Sequence, residues 1–386
     1  MVAGLYGGQC IQGHTIYIYD RGGMTRVAQL LDVSQVTWSR DRDGVSEATV
    51  RVEGSACSAQ ADVLAALEPK RSELVIFRGQ DRVWEGPVWR VGWNSGHVEV
   101  NAHDIMAYIL ATPLSKEWDN RYRAKYDEDG NVIEVYSQPT EVTTRIGEIL
   151  NYELAVWESI SPPANVKPHV QIHHSEGEAR TSAYTMPFEM TVGEHIQSLG
   201  RTAGIDWTVL GRTLHVWDVS SSLGRTRTLT EADFFSEVII TAYGADMAAS
   251  VYVVGRDGKY GHASAESPYY GPWTMILTAY NEEGTADPTQ EELDSQAKRN
   301  INGRMPVPVE VRVPDNSGIR LDETLTIHDM VPGVQVPLLA TLNARQLSQI
   351  QKIDLVTVTE TPEAETIQVT LTPATKPDQP EEGEGP

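Results

Sequence analysis

Cysteine is nearly absent: Cys10 and Cys57 are the only two in 386 residues. Two thiols can form one disulfide at most and cannot build a metal site alone, which excludes a disulfide framework and a thiolate cluster. The opening "MVAGLYGGQCIQGHTIYIYD" has no basic stretch followed by an apolar one, so no secretory signal is expected. The two thiols are then expected to be reduced and buried. Nowhere does an apolar run reach the ~18 residues of a membrane helix. Positive charge is also short. Against 54 Asp and Glu stand 31 Lys and Arg, a net −23 at pH 7. Such a surface cannot neutralise a nucleic-acid backbone, and it repels a passing polyanion.

Catalytic signatures are missing as well. "GEHIQSLG" (193–200) has neither a Glu directly after His195 nor a second His four residues on, as a zinc-protease helix requires. His195 is expected at the surface or as a satisfied core residue. His173, His174, Glu176 and Glu178 crowd into "IHHSEGE" (172–178), but neighbours on an extended segment point to opposite faces. "VGRDGKYG" (254–261) has neither the spacing nor the Ser/Thr of a phosphate-binding loop, and no G-x-S-x-G elbow occurs. Carboxylates are too frequent for a glycosidase pair to stand out. No catalytic residue, metal or cofactor is expected.

What the chain does have is strands. "TIYIY" (15–19) alternates Ile16 and Ile18 against Tyr17 and Tyr19, and "EATVRVE" (47–53) puts Ala48, Val50 and Val52 on one face. "ELVIFRGQDRVWEG" reads as two strands around a Gly-containing turn. "RVWEGPVWRVGWNSGHVEVNAHDIMAYIL" (82–110) packs three tryptophans into ten positions. Trp89, Val91 and Trp93 share a face, as on a core-facing strand, and are expected to be buried in the core or at an interface rather than stacked on a ligand. Trp84 is out of phase with them, which makes it a candidate for an exposed or intersubunit ring. Pro87 cannot donate to a ladder and marks a bend or an edge. Asp104 is placed to cap "IMAYIL".

Further on, the pattern divides. Residues 1–112 read as a strand-rich domain and 113–218 as a smaller α+β unit. In that unit, helices are expected at 141–151 and after the Thr191/Glu194 capping box, followed by a hairpin over 205–218. Trp118, in its polar opening stretch, is the second candidate for a partner-facing ring. Residues 219–373 are again strand-rich, with a helix near 289–302 behind a Thr289/Glu292 box. The tail 374–386, "ATKPDQPEEGEGP", has nothing to pack and is expected to be disordered. No short-period repeat is visible, which argues against a solenoid or propeller. The class is mainly β with some α (α+β).

Several stretches resemble the tail-hub, or minor tail, proteins of long-tailed, siphovirus-type bacteriophages, particularly those of actinobacterial hosts. They are "VTWSRDRDGVSEATVRV" (36–52), "SELVIFRGQDRVWEGPVWRV" (72–91), "VEVNAHDIMAYIL" (98–110), "GEHIQSLGRTAGIDWTVLGRTLHVWD" (193–218), "MVPGVQVPL" (330–338) and "SQIQKIDLVTVTE…TIQVTLTP" (348–373). The resemblance spans most of 10–373 and is weakest over 114–185. It implies two tail-tube-like β-barrel domains flanking the α+β unit, and a homotrimer whose six barrels form a ring. The implied partners are the distal tail protein, the tail tube, the tape-measure protein and tail-tip or fibre proteins. DNA would pass through the channel without specific binding. The implied location is the tail tip of a virion, assembled in the host cytoplasm. Two other readings fit a phage tail: a cell-wall glycan or peptide hydrolase acting within 114–190, and a carbohydrate-binding adhesin using Trp84 or Trp118.

Overall fold

The computed structural model describes residues 10–54, 60–127, 132–137, 139–155, 169–173, 180–181, 183–219, 221–241, 248–255, 258–264, 274–278, 289–303, 310–343 and 345–374. Cys57, His174, Glu176, Glu178 and residues 375–386 of the tail lie outside them, and with them the expectations placed there.

Alternation builds the first strands. β1 (His14–Asp20) turns His14, Ile16 and Ile18 inward, and β2 (Arg26–Leu30) returns beside it. β3 (Val33–Asp41) buries Val36, Trp38 and Arg40, and β4 (Glu47–Glu53) buries Ala48, Val50 and Val52. Helix α1 (Ala61–Ala65) precedes β5 (Ser72–Arg78), β6 (Asp81–Trp93) and β7 (His97–His103). Helix α2 (Met106–Leu110) then begins where Asp104 Oδ1 accepts the Met106 amide at 2.8 Å.

The linking stretch carries β8 (Trp118–Asp119), β9 (Arg123–Tyr126), β10 (Val132–Ser137), β11 (Thr140–Glu141), helix α3 (Val142–Glu153), β12 (His169–His173), β13 (Arg180–Thr181) and β14 (Tyr184–Thr185). Helix α4 (Val192–Ala203) starts on the expected capping box and stops at Gly204 with φ 73°. The hairpin β15 (Ile205–Leu210) and β16 (Thr213–Asp218) follows. Ile146, Ile149, Ile196, Leu199, Trp207 and Leu214 form the core of this unit.

The last stretch begins with β17 (Leu229–Thr230) and β18 (Ile239–Thr241). β19 (Ser250–Val254), β20 (Tyr260–Ser264) and β21 (Thr274–Thr278) form a small sheet. Helix α5 (Gln290–Gly303), with the Thr289/Glu292 box at its start, packs Leu293, Ala297 and Ile301 against that sheet. β22 (Glu310–Arg312), β23 (Ser317–Gly318), β24 (Gln335–Leu342), β25 (Arg345–Glu360) and β26 (Glu365–Pro373) complete the chain.

Strands from both ends of the sequence meet in one twelve-stranded sheet, ordered β17-β24-β25-β3-β4-β7-β6-β5-β1-β2, with β26 also on β25 and β23 on β26. Among the described residues no pairing closes this path into a barrel. One apolar core underlies it, from Ile16 and Trp38 through Val100 to Leu338, Val358 and Val369. The molecule is mainly β, with few helices.

Two long strands organise this sheet in the same way. β6 pairs with β5 up to Pro87, then with β7 from Val88. β25 pairs with β24 through Lys352, and with β26 from Gln351 onward. In each, the register slips by one residue at the changeover: between Val88 and Arg90, and between Ile353 and Leu355. Pro87 is thus the last β6 residue paired with β5, at the changeover between partners.

Candidate functional site

No arrangement among the described residues assembles a catalytic or metal constellation. No group of three or more His, Cys, Asp or Glu side chains could hold an ion there. A shallow recess of about 410 Å³ is lined by Lys259, Tyr260, His262, Gln290 and Asp294. Beside it Ser250 Oγ lies 2.8 Å from His262 Nε2. Among the described residues no carboxylate hydrogen-bonds the other ring nitrogen, so the pair lacks the third group that orients a base. His195 is a satisfied core residue: Thr185 Oγ1 lies 3.2 Å from its Nδ1, and burial beside Arg145 holds it down to about 4.

The polar chemistry of this chain lies in buried junctions between segments distant in sequence. Arg40 reaches across the core from β3. Its Nη1 donates to the Ile327 and Met330 carbonyls at 3.0 and 2.9 Å, and its Nη2 to the Val83 carbonyl at 3.1 Å. Val83 is the residue skipped where β5–β6 slips register between Ile76 and Phe77. The bulge leaves a carbonyl without a ladder partner, and the guanidinium takes it.

A second junction surrounds Glu73, which is wholly buried. It accepts from the Gly22 amide at 2.8 Å, the Tyr108 hydroxyl at 3.0 Å and Arg212 Nη1 at 2.7 Å. Burial, with Glu73 alongside, raises the Tyr108 hydroxyl above its usual range and keeps it a donor. A third junction closes the end of β3. Arg42 Nη1 meets Asp206 Oδ2 at 2.9 Å and pairs with the Asp354 carboxylate through Nη2. Lys352 Nζ donates to the Val219 carbonyl at 2.5 Å. The linking unit is thereby fastened to strands from both ends of the chain.

Asp104 is the clearest titrating group. Its carboxylate accepts the Ser46 and Met106 amides at 2.9 and 2.8 Å, and burial pushes it up to about 7. An unfolded Asp titrates near ~3.9. Its contribution to stability is therefore full below about pH 4 and lost as pH rises toward 7. Asp104→Asn keeps one acceptor but sets an amide donor against the other backbone N–H. The variant should lose about 1–3 kcal/mol at pH 5. That deficit should narrow by about 2–3 kcal/mol at pH 8, because only the wild type weakens on ionisation. Urea titrations at both pH values check this; a deficit unchanged by pH would contradict it.

Within the chain, the tryptophans depart from the core positions that alternation suggests. Trp84 is 4% exposed, and so is Trp118, whose Nε1 donates to Glu153 at 2.8 Å. Neither ring is offered at the surface of this chain. Trp89 and Trp93 instead stand out, at 39% and 59%. The cause is local: β6 is buried on both faces from Val83 to Val88, and the slip at Trp89 breaks the phase beyond it. His103 stacks on Trp89 at 4.9 Å and Lys70 Nζ lies 4.4 Å from its ring centre, so this ring is already engaged. Trp93 is the one left bare.

No protein-family model matches the chain, and no curated protein matches it in sequence. Solved structures do. The chain is similar to the prophage MuSo2 43 kDa tail protein from Shewanella oneidensis, with TM-score 0.59, 12% identity, and 94% of this chain and 98% of that one covered. It is similar to prophage tail protein gp18 from Listeria monocytogenes EGD-e, with TM-score 0.56, 9% identity, and coverage of 92% and 94%. It is also similar to the E. coli c3393 protein, a type VI secretion component described as structurally similar to T4 tail proteins gp27 and gp5. There the TM-score is 0.51 and the identity 10%, with 92% and 76% covered. The chain has the fold of these tail proteins.

Proposed function

We propose that the chain is a structural, non-enzymatic component of a phage-type tail, acting as the hub at the tail tip or baseplate. The observation that carries this reading is the shared fold over nearly the whole length of tail proteins from different bacteria. On it we build the finer reading. Three copies close a ring, and each contributes its first and last strand-rich segments, which stand as two domains on either side of the 113–218 unit. The ring joins the tail tube to the tip, with a distal tail protein, a tape-measure protein and tip or fibre proteins as neighbours. A net charge of −23 suits a wall past which DNA slides without adhering. The work is mechanical: apolar edges are buried between copies, and polar junctions hold each copy rigid.

The test is to purify tailed particles from the source strain, identify their proteins by mass spectrometry, and label this chain with antibody under the electron microscope. The expected result is a few copies per particle, with label at the distal end of the tail. Absence from the particles, or label on the capsid, overturns the reading.

A further inference from the structure

The small sheet and α5 share a core of their own. β19 buries Val251 and Val253 against Leu293 and Ala297 of α5, so alternation turns Ser250, Tyr252 and Val254 to the opposite face. β20 adds Tyr260 opposite Val254 and His262 opposite Tyr252. Gly261, between those two, faces the helix: a Cβ there would lie 2.1 Å from the Leu293 carbonyl. Its missing side chain lets α5 lie directly against the strand. The helix thereby sets Gln290 and Asp294, one turn apart, beside β20, which among the described residues pairs only with β19.

The recess of about 410 Å³ at this edge is made of fixed parts. Gln290 Nε2 donates to the Tyr260 carbonyl at 2.9 Å and to Asp294 Oδ1 at 3.1 Å, which holds both side chains in place. His262 stacks on Tyr252 at 4.3 Å and meets Ser250 Oγ through Nε2, so its Nδ1 has no partner among the described residues. Tyr260 leans on Tyr252, with ring centres 5.8 Å apart, and is still 54% exposed. Among the described residues neither Lys259 nor Asp294 has an ion-pair partner.

This lining selects one ligand chemistry. Lys259 and Asp294 supply one charge of each sign, so a polyanion gains nothing. No aliphatic side chain lines the recess, and a purely apolar ligand would strand its carboxylate and amide. What fits has an apolar face for the tyrosine ring and a rim of groups that both donate and accept. A pyranose has both. We propose that this recess binds a neutral saccharide, with its C–H face on Tyr260 and its hydroxyls donating to Asp294 and accepting from Lys259. Gln290 positions the carboxylate, and His262 Nδ1 completes the rim. The volume lies in the ~300–1,000 Å³ range of small-molecule sites. Such a site stands whether or not three copies form a ring.

Saturation-transfer NMR and titration calorimetry on the full-length chain test it with two sets of sugars. Oligomers of N-acetylglucosamine represent cell-wall glycan, and oligomers of galactose, mannose, rhamnose and arabinose represent surface polysaccharide. One set should bind with a Kd of roughly 0.1–10 mM, as befits a shallow, open site. Tyr260→Ala should weaken that binding at least ~10-fold, and so should Asp294→Asn. Tyr260→Phe keeps the ring and should stay within ~2-fold of the wild type. Tyr260 is exposed, so Tyr260→Ala should unfold at the wild-type temperature. Trp93→Ala removes an exposed ring elsewhere and should bind like the wild type. If no sugar of either set binds, if Tyr260→Ala binds undiminished, or if Trp93→Ala is the variant that loses binding, the recess is not a saccharide site. None of these results bears on the hub reading, which antibody labelling of the particles decides.

Discussion

Replacing Arg40 with Ala should cost about 3–5 kcal/mol of stability, among the largest losses from any single side chain here. The guanidinium is buried without a carboxylate partner among the described residues, and burial lowers it only to about 10, so it stays charged at neutral pH. Two effects compete. Desolvating a cation costs several kcal/mol. Three hydrogen bonds from a charged donor return about 1.5–3 kcal/mol each, and the Trp38 ring 5.0 Å away adds a cation–π contribution. The arginine itself is close to neutral in that balance, but its removal is not. Truncation strands the Ile327, Met330 and Val83 carbonyls and opens a void between them. Arg40→Met fills the space and leaves the carbonyls unpaired, so it should lose about 2–3 kcal/mol. Arg40→Lys restores a charge but not the fork, and should fall between Met and the wild type. Equilibrium urea unfolding of the four proteins gives the order. If Ala and Met unfold with the wild type, the carbonyls have other partners and this account is wrong.

Arg40 also shows what could be read from sequence and what could not. The alternation of Val36, Trp38 and Arg40 is plain in "VTWSR", and it places a cation in the core row. The identity of its acceptors is not legible, because they lie 43 to 290 residues away. Local signals carried the elements well. The capping boxes at Thr191 and Thr289 open helices, and Ile16, Val50 and Val100 face the core. Alternation failed at Trp84, Trp89 and Trp93 because period-two reasoning assumes an unbroken ladder, and β6 slips against both of its neighbours. The likeness of β3–β4 to β18–β22, where Val36 opposite Val50 of "TVRV" parallels Ile240 opposite Val311 of "EVRV", stayed hidden for a different reason. β3 and β4 are separated by a short turn, whereas β18 and β22 are separated by residues 242–309, which include the small sheet and α5. An insertion of that size erases a repeat for any fixed-period search. Trp84 and Trp118, the two rings expected to face a partner, are both buried within the chain.

The junctions also keep the parts of the sheet from shearing independently. Arg40 ties the 327–330 loop to β6, and Arg42 and Lys352 tie β15 to β25. Strand pairing alone would leave the chain free to hinge where the residues of 113–218 meet the sheet. Buried charge restricts that motion, because any opening exposes one partner before the other is solvated.

Glu73 tests this at the other end of the linking unit. Its carboxylate is the common acceptor for the β1–β2 turn through Gly22, for α2 through Tyr108, and for the β15–β16 turn through Arg212. Glu73→Ala removes all three contacts and leaves the Arg212 charge with Glu85, 3.6 Å away, as its nearest carboxylate. The expected loss is about 3–5 kcal/mol, toward the low end because Glu85 is in reach. Glu73→Gln preserves shape and one oxygen, and should lose about 1–3 kcal/mol. Combining Glu73→Ala with Arg212→Ala should cost clearly less than the sum of the two single changes, since each alone strands the other's partner. Hydrogen exchange locates the effect: protection should fall in 205–218 before the central strands of the sheet respond. Additive losses, or uniform deprotection across the sheet, would show that the linking unit is held on by its apolar core and that this junction does not clamp it.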